Sequence, residues 1–299
     1  MEQSPLILES AQMVAENLAY IGGACLLLFT LYEAAWRRNS HGRKTREDWQ
    51  MAGIALTALA LVQRPLLMLL IFFSLKAILP QYGEGLTWLE QEYFWVVLPI
   101  YMLIDEYLHG RMHLFTHSPR PRNRWLHRVQ SFYRVAHRPH HQVGGNDGRG
   151  ELSATQTYVE HWGWWLALPN YWFGFICLYL GMYETFFWGT LVKTIWGMHV
   201  HTNWGRSYDI VLLNHPSKLV RQAMQALCHV FVFPNMHQHH HSRGANSAKN
   251  MTNFISIFDW LLWDTLIIER ERPEIYGWRQ SAQEEFNPLY RYFNTSLNR

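Results

Sequence analysis

The chain has 299 residues, enough for one large domain or two small ones. Its formal net charge of +3 is too small to favour nucleic acid as a partner. Its three cysteines (Cys25, Cys177 and Cys228) form no CxxC pair, so neither a thiolate zinc site nor an iron–sulfur cluster is indicated.

Apolar segments long enough to cross a bilayer follow one another along the chain. A membrane helix needs about 20 mostly apolar residues. The predicted spans are 18–36, 50–79, 93–108, 162–183 and 185–198. The second contains Gln63-Arg64-Pro65, so it is either one kinked span or a re-entrant pair. The first ten residues have no basic region before an apolar one, and no cleaved signal peptide is predicted.

The charges of the loops predict an orientation. Residues 37–49 and 118–139 are basic, whereas residues 80–92 carry acidic groups only. The positive-inside rule therefore places the two basic loops, and with them every histidine-rich segment, in the cytoplasm. The predicted fold class is all-α: a polytopic membrane helical bundle of about four to five transmembrane helices with a cytoplasmic histidine-rich helical cap, in a cell inner membrane or the endoplasmic reticulum. The alternative is a soluble helical protein with very apolar core helices.

The first histidine cluster ends the third predicted span. His109, His113 and His117 recur every four residues, and such residues lie on one face of a helix. Two imidazoles at this spacing can bind one metal ion. Glu106 lies on the same face as His113, where a carboxylate can orient a ligand imidazole.

Two further clusters share the pattern HxxHH. They are His137, His140 and His141, and His237, His240 and His241. Residues at i, i+3 and i+4 converge on one side of a helical turn, so each cluster can supply ligands to two neighbouring ions. His239 points elsewhere and is not predicted as a ligand. His161 precedes the fourth span, and one histidine among His199, His201 and His215 is expected to complete the set after the last span.

This number of imidazoles predicts more than one metal ion. Four ligands saturate a structural zinc ion, and the chain offers at least eight patterned histidines. Neutral imidazole suits iron, zinc, copper or nickel. We expect two non-haem iron ions that activate O₂ beside the bilayer, for which zinc can substitute in purified samples.

With these motifs, the chain resembles the fatty acid hydroxylase/sterol desaturase superfamily, whose members carry HxxxH, HxxHH and a second HxxHH. The resemblance covers roughly residues 93–265 and includes Glu106, His201-Thr-Asn203 and the segment around Asp259. It implies an oxidoreductase: a membrane-bound di-iron oxygenase that hydroxylates a lipid with O₂ and electrons from a separate donor, a ferredoxin or a cytochrome b5-like protein with its reductase. The implied metal ligands are His113, His117, His137, His140, His141, His161, His201, His237, His240 and His241.

Some alternatives stay open at this point. His109 could join the site in place of His117, and the same iron pair could desaturate a lipid instead of hydroxylating it. A membrane metal transporter and a zinc-dependent hydrolase are the alternatives from other classes. The predicted division of the chain is an N-terminal membrane region at 1–92, a catalytic domain at 93–270 and a cytoplasmic tail at 271–299.

Overall fold

The computed structural model describes residues 6–36, 49–50, 53–141, 152–159, 162–204, 207–243 and 245–277. These residues are mostly helical, and their only β-pairing consists of two isolated bridges. The α-helices are α1 (Leu6–Trp36), α2 (Arg64–Ile78), α3 (Thr87–His117), α4 (Arg124–His141), α5 (Trp162–Ala167), α6 (Pro169–Tyr179), α7 (Tyr183–His201), α8 (Tyr208–Leu213), α9 (Lys218–Val230), α10 (Pro234–His240) and α11 (Ile257–Leu261). The all-α part of the prediction is confirmed for this part of the chain.

Two of the described helices are long and apolar enough to cross a membrane. They are Met13–Ala35 in α1 and Leu61–Ile78, which includes α2. Length and composition alone therefore support two candidate spans, and the total of four to five stays a prediction. The basic loop at 37–48 lies outside the described residues.

From residue 53 to residue 78, the second predicted span is one continuous helix and not a re-entrant pair. A π-helix at Ala55–Gln63 continues directly into α2, and Gln63 keeps right-handed helical backbone angles. Pro65 lies at the junction of the two helix types, where its missing N–H removes one hydrogen bond to the preceding turn. The polar Gln63-Arg64-Pro65 segment thus marks a change of helix type.

The predicted span over 162–183 is not one uninterrupted helix, and whether it crosses a membrane stays a prediction. This segment forms two helices, α5 and α6, separated at Leu168. Leu168 is extended because Pro169, at the start of α6, disfavours a helical conformation in the residue before it. The prediction rests on the absence of charge in this segment, and the absence of charge does not indicate where a helix is interrupted.

Helix α3 connects the apolar part of the molecule to the histidines. It has 31 residues, a local break in helical geometry at Tyr93 and an internal Pro99. It packs against α6 and α7, and α1 packs along α7. The predicted boundary between residues 92 and 93 lies inside α3. At the other predicted boundary, Tyr276 pairs with Ser242, so described residues of the predicted tail pack against the histidine-rich part.

Gly189 allows α3 and α7 to approach closely. A Cβ atom at this position would lie 2.5 Å from the ring of Tyr101, which is itself buried. We expect Gly189→Ala to lower the free energy of unfolding by about 1–3 kcal/mol, the usual range for overpacking. Thermal unfolding in detergent measures this, with Gly53→Ala as the control because no atom lies within 4 Å of a Cβ there. Equal melting temperatures for the two variants would contradict this packing.

Candidate metal centre

Nine histidines form two adjacent groups whose ligand nitrogens lie within 4.8 Å of one another in each group. One, site A, contains His113, His117, His137, His141 and His240. The other, site B, contains His140, His201, His237 and His241. The rings of His141 and His241 stack with 4.3 Å between their centroids, so the two sites lie next to each other. Histidine groups of this kind could hold metal ions.

The spacing of the histidines along each helix determines which site they join. α3 supplies His113 and His117 to site A, and α7 supplies His201 to site B. The ends of α4 and α10 each supply both sites, because i, i+3 and i+4 fall on neighbouring parts of one helix face. The two HxxHH motifs therefore connect the two sites, as the spacing predicts.

The facing nitrogens are close. In site A, Nε2 of His137 lies 2.9 Å from Nε2 of His113 and 3.0 Å from Nε2 of His141. In site B, Nε2 of His201 lies 3.0 Å from that of His140 and 2.9 Å from that of His237. The Nε2 atoms of these six rings therefore face one another in two clusters.

Backbone carbonyls fix the tautomer of four of these rings. The Nδ1–H of His113 donates to Met251 O at 2.6 Å, and that of His240 donates to Lys249 O at 2.9 Å. The Nδ1–H of His140 donates to Gln156 O at 2.9 Å, and that of His201 donates to Gly197 O at 2.6 Å. An imidazole that donates through Nδ1 presents the lone pair of Nε2, which is the form that binds a metal.

Without a cation, the facing ring nitrogens of His140 and His201 repel each other. Both rings donate through Nδ1, so two lone pairs face each other at 3.0 Å with no hydrogen between them. Protonation does not relieve this, because burial lowers the pKa of His201 to about 4 and lowers that of His140 well below its usual value. A cation that accepts both lone pairs removes this repulsion. The residues present therefore fit a bound metal.

The lowered pKa values predict a pH dependence of the metal-free protein. Burial is the main cause at His113, whose pKa is about 4, as at His201. The folded state therefore binds fewer protons than the unfolded state between about pH 6.5 and 4, so stability falls as the pH decreases through this range. Thermal unfolding of the metal-free protein from pH 7.5 to 5 measures it. A melting temperature that stayed constant or rose would contradict burial of these rings as neutral groups.

Two buried carboxylates bind the backbone of residues 251–254. The Met251 carbonyl in this segment accepts a hydrogen bond from His113 of site A. Asp259 accepts hydrogen bonds from the N–H groups of Met251 (2.7 Å) and Thr252 (3.1 Å). Glu106 accepts hydrogen bonds from the N–H groups of Asn253 (2.5 Å) and Phe254 (2.8 Å). Four consecutive amides are thus bound to carboxylates, which sets the position of the Met251 carbonyl that His113 uses.

The contacts of Glu106 specify how it can orient a ligand imidazole. The sequence predicts a carboxylate that orients a ligand imidazole, and the described hydrogen-bond and ion-pair partners of Glu106 are backbone amides and Lys193, whose Nζ lies 2.9 Å away. Lys193 also pairs with Asp105. Glu106 therefore acts on His113 through the backbone at 251–254, because its carboxylate reaches the loop that passes beside α3.

Two other buried carboxylates position site B. Glu33 of α1 accepts hydrogen bonds from the N–H groups of Ala154 (2.9 Å) and Asn203 (2.7 Å), on either side of the site. Asp209 accepts one from the N–H of Asn235 at 2.8 Å, at the start of α10. Sequence reasoning missed both roles. The one available signal was Glu33 itself, a lone charge in an apolar span.

The cavity beside the two sites has a volume of about 180 Å³. His113, His137, His140, His201 and His237 form part of its wall. The rest is mainly apolar and comes from α1, α2, α3, α6 and α7, including Leu18, Met68, Phe175 and Leu191. Because both candidate membrane helices line it, the cavity connects the histidines with the apolar part of the molecule.

The other histidines that the structure describes lie outside the two groups. His109 lines the cavity and stacks on His113 at 5.7 Å. Nε2 of His199 lies 2.7 Å from the hydroxyl of Tyr208, and His215 accepts a hydrogen bond from Ser217 N–H. His239 donates to the Glu271 carbonyl, pointing away as expected. Of the ten predicted ligands, only His161 is missing from the two groups, and it lies outside the described residues.

Comparison of the chain with protein-family models, with curated protein sequences and with solved structures gives no significant match.

Proposed function

We propose that this protein is a membrane-bound non-haem di-iron oxygenase that hydroxylates an unactivated C–H bond of a lipid. The observation that carries the proposal is the pair of adjacent all-histidine sites, whose lone pairs face each other at the wall of an apolar cavity. When bound, two iron ions would supply O₂ activation, and the overall reaction consumes O₂, two electrons and two protons to give an alcohol and water.

The ligand set favours iron over tetrahedral zinc. Site A offers five imidazoles, one more than a closed zinc site accepts. A set of five imidazoles would suit a metal of higher coordination number than tetrahedral zinc, whereas the four imidazoles of site B would suit either metal.

The apolar residues of the cavity would bind the lipid chain and keep bulk water from the reacting carbon. The backbone carbonyls at Met251, Lys249, Gln156 and Gly197 would hold the imidazoles in the metal-binding tautomer. The histidine-rich region would lie on the cytoplasmic side of a bundle with four to five spans, as the loop charges predict.

The electrons would come from a separate donor. Four arginines around the start of α4 are exposed, and α4 carries three ligands at its other end. They are Arg120, Arg122, Arg124 and Arg128. A cluster of one sign of charge would attract an acidic ferredoxin or a cytochrome b5-like protein.

The test is incorporation of oxygen from ¹⁸O₂. The full chain in nanodiscs, loaded with Fe(II) and supplied with a reductase and ferredoxin, is incubated with a panel of membrane lipids and fatty acids. Mass spectrometry should find one ¹⁸O atom in a product alcohol. A desaturase would give a product two hydrogens lighter with no ¹⁸O. An iron-loaded, reducible protein that oxidised none of the lipids would contradict the proposal.

A further inference from the structure

Arg64 is a charged group placed in an apolar part of the molecule. It begins α2 and lies within the candidate membrane span Leu61–Ile78. Its side chain lines the cavity that also borders the histidines. A guanidinium is protonated at every physiological pH, so a full positive charge faces this cavity.

Aromatic groups surround the guanidinium. Its central carbon lies 4.5 Å from the centre of the Tyr158 ring and 4.0 Å from the centre of the Trp165 ring. Nη2 donates to the hydroxyl of Tyr171 at 3.3 Å, whereas the buried Nε has no hydrogen-bond partner among the described residues. The hydroxyls of Tyr171 and Tyr158 accept hydrogen bonds from the guanidinium, and neither these hydroxyls nor the ring faces carry a charge opposite to its own.

The other described cation on the cavity wall is differently placed. Lys193 is paired with both Asp105 and Glu106. Within the described chain, no carboxylate lies within ion-pairing distance of Arg64. Arg64 is half-buried, and a partly desolvated charge without a counter-charge carries a cost that is offset when a ligand brings the opposite charge.

Arg64 also lies against the two segments that contact the metal ligands. Tyr158 belongs to the same 3₁₀-helix (Ala154–Tyr158) as Gln156, whose carbonyl accepts from His140. Trp165 follows Trp164, which stacks on His137 at 4.2 Å. The guanidinium is therefore connected to the two sites through direct contacts of neighbouring residues.

We propose that Arg64 binds the anionic end, a carboxylate or a phosphate, of an amphipathic lipid whose alkyl chain occupies the cavity. The planar guanidinium matches two oxygens of such a group, and the apolar walls match the chain. Where the protein oxidises this lipid, which rests on the proposed function, the position of the oxidised carbon is counted from the anionic end.

The binding test needs neither iron nor turnover. The full metal-free chain in nanodiscs of neutral lipid is titrated with a radiolabelled fatty acid, with the alkyl phosphate of the same chain length and with the corresponding primary alcohol. We expect at least one of the two anions to bind about 10- to 100-fold more tightly than the alcohol, the usual range for hydrogen bonds to a charged group. Which anion binds more tightly identifies the head group.

Variants assign the effect to Arg64. Arg64→Gln should remove the preference for the anion. Arg64→Lys should keep part of it, because lysine keeps the positive charge but lacks the planar pair of N–H donors of the guanidinium. Lys76→Gln, a charge change in the same helix but off the cavity wall, should leave the preference unchanged. Equal binding of anions and alcohol by the unmodified protein, or an unchanged preference in Arg64→Gln, would overturn the inference. If Arg64→Gln does not fold, the unmodified protein and Arg64→Lys decide.

The outcome separates the two proposals. Preferential anion binding that depends on Arg64, in a protein that oxidises no lipid, would leave this inference standing and reject the oxygenase. Oxidation of lipids by a protein that binds anion and alcohol equally would support the oxygenase and reject the binding of an anionic lipid end by Arg64. In an active protein, fatty acids of different lengths should be oxidised at a constant number of carbons from the carboxylate.

Discussion

Replacing His237 by alanine is expected to remove one metal ion per chain and to lower lipid oxidation at least about 100-fold. Nε2 of His237 contacts those of His201 (2.9 Å) and His241 (3.1 Å), so it is central to site B. Loss of a residue that only orients a metal ligand typically costs about 10- to 100-fold, and loss of the ligand itself should cost more. Metal analysis of the purified variant, together with the ¹⁸O₂ assay, measures both effects.

The matched control is His239→Gln, two positions along the same helix. His239 donates to the Glu271 carbonyl and belongs to neither site. Glutamine keeps a donor at this position, so the variant should keep two metals and its activity. Two metals bound to His237→Ala, or equal losses in both variants, would show that site B is not assembled as described.

Asp259→Asn is expected to cause the largest loss of stability among conservative substitutions near the centre. The buried carboxylate accepts from the N–H groups of Met251 and Thr252 and from the hydroxyls of Thr252 and Thr265. An asparagine replaces one acceptor by an NH₂ group that faces these donors. Breaking a buried, charged hydrogen-bond network of this kind typically costs about 3 kcal/mol or more.

This loss should reach site A, because the Met251 carbonyl holds His113. Thermal unfolding gives the loss of stability, and a competition with a chelator gives the weaker metal binding. Asp264→Asn is the control: its side chain is exposed, and its positive φ of 52° suits asparagine. If Asp259→Asn unfolded and bound metal like Asp264→Asn, the carboxylate would not be positioning the segment.

The local part of the centre could be predicted from the sequence. Ligands at i, i+3 and i+4 fall on one helix face whatever the rest of the fold does, and this places the three histidines of each HxxHH motif together. The spacing at i and i+4 fits His109 with His113 as well as His113 with His117. The structure separates them, because His109 lies one turn further along the cavity wall.

The long-range part could not be predicted. Glu33 binds the amides of residues 121 and 170 positions further along the chain, and no local pattern reports such a contact. Likewise, three histidines after the last span were equivalent by composition. The structure selects His201 because its Nδ1 reaches the carbonyl of Gly197 one turn earlier, which directs Nε2 towards His140 and His237.

The measurement that tests the central claim most directly is the metal content of the full chain purified from iron-supplemented cells, combined with Mössbauer spectroscopy of a ⁵⁷Fe sample. Two adjacent all-histidine sites predict close to two iron ions per chain with magnetically coupled spectra. One tightly held zinc ion and no bound iron, even after anaerobic reconstitution with Fe(II), would contradict the di-iron centre and favour a hydrolase or a structural site.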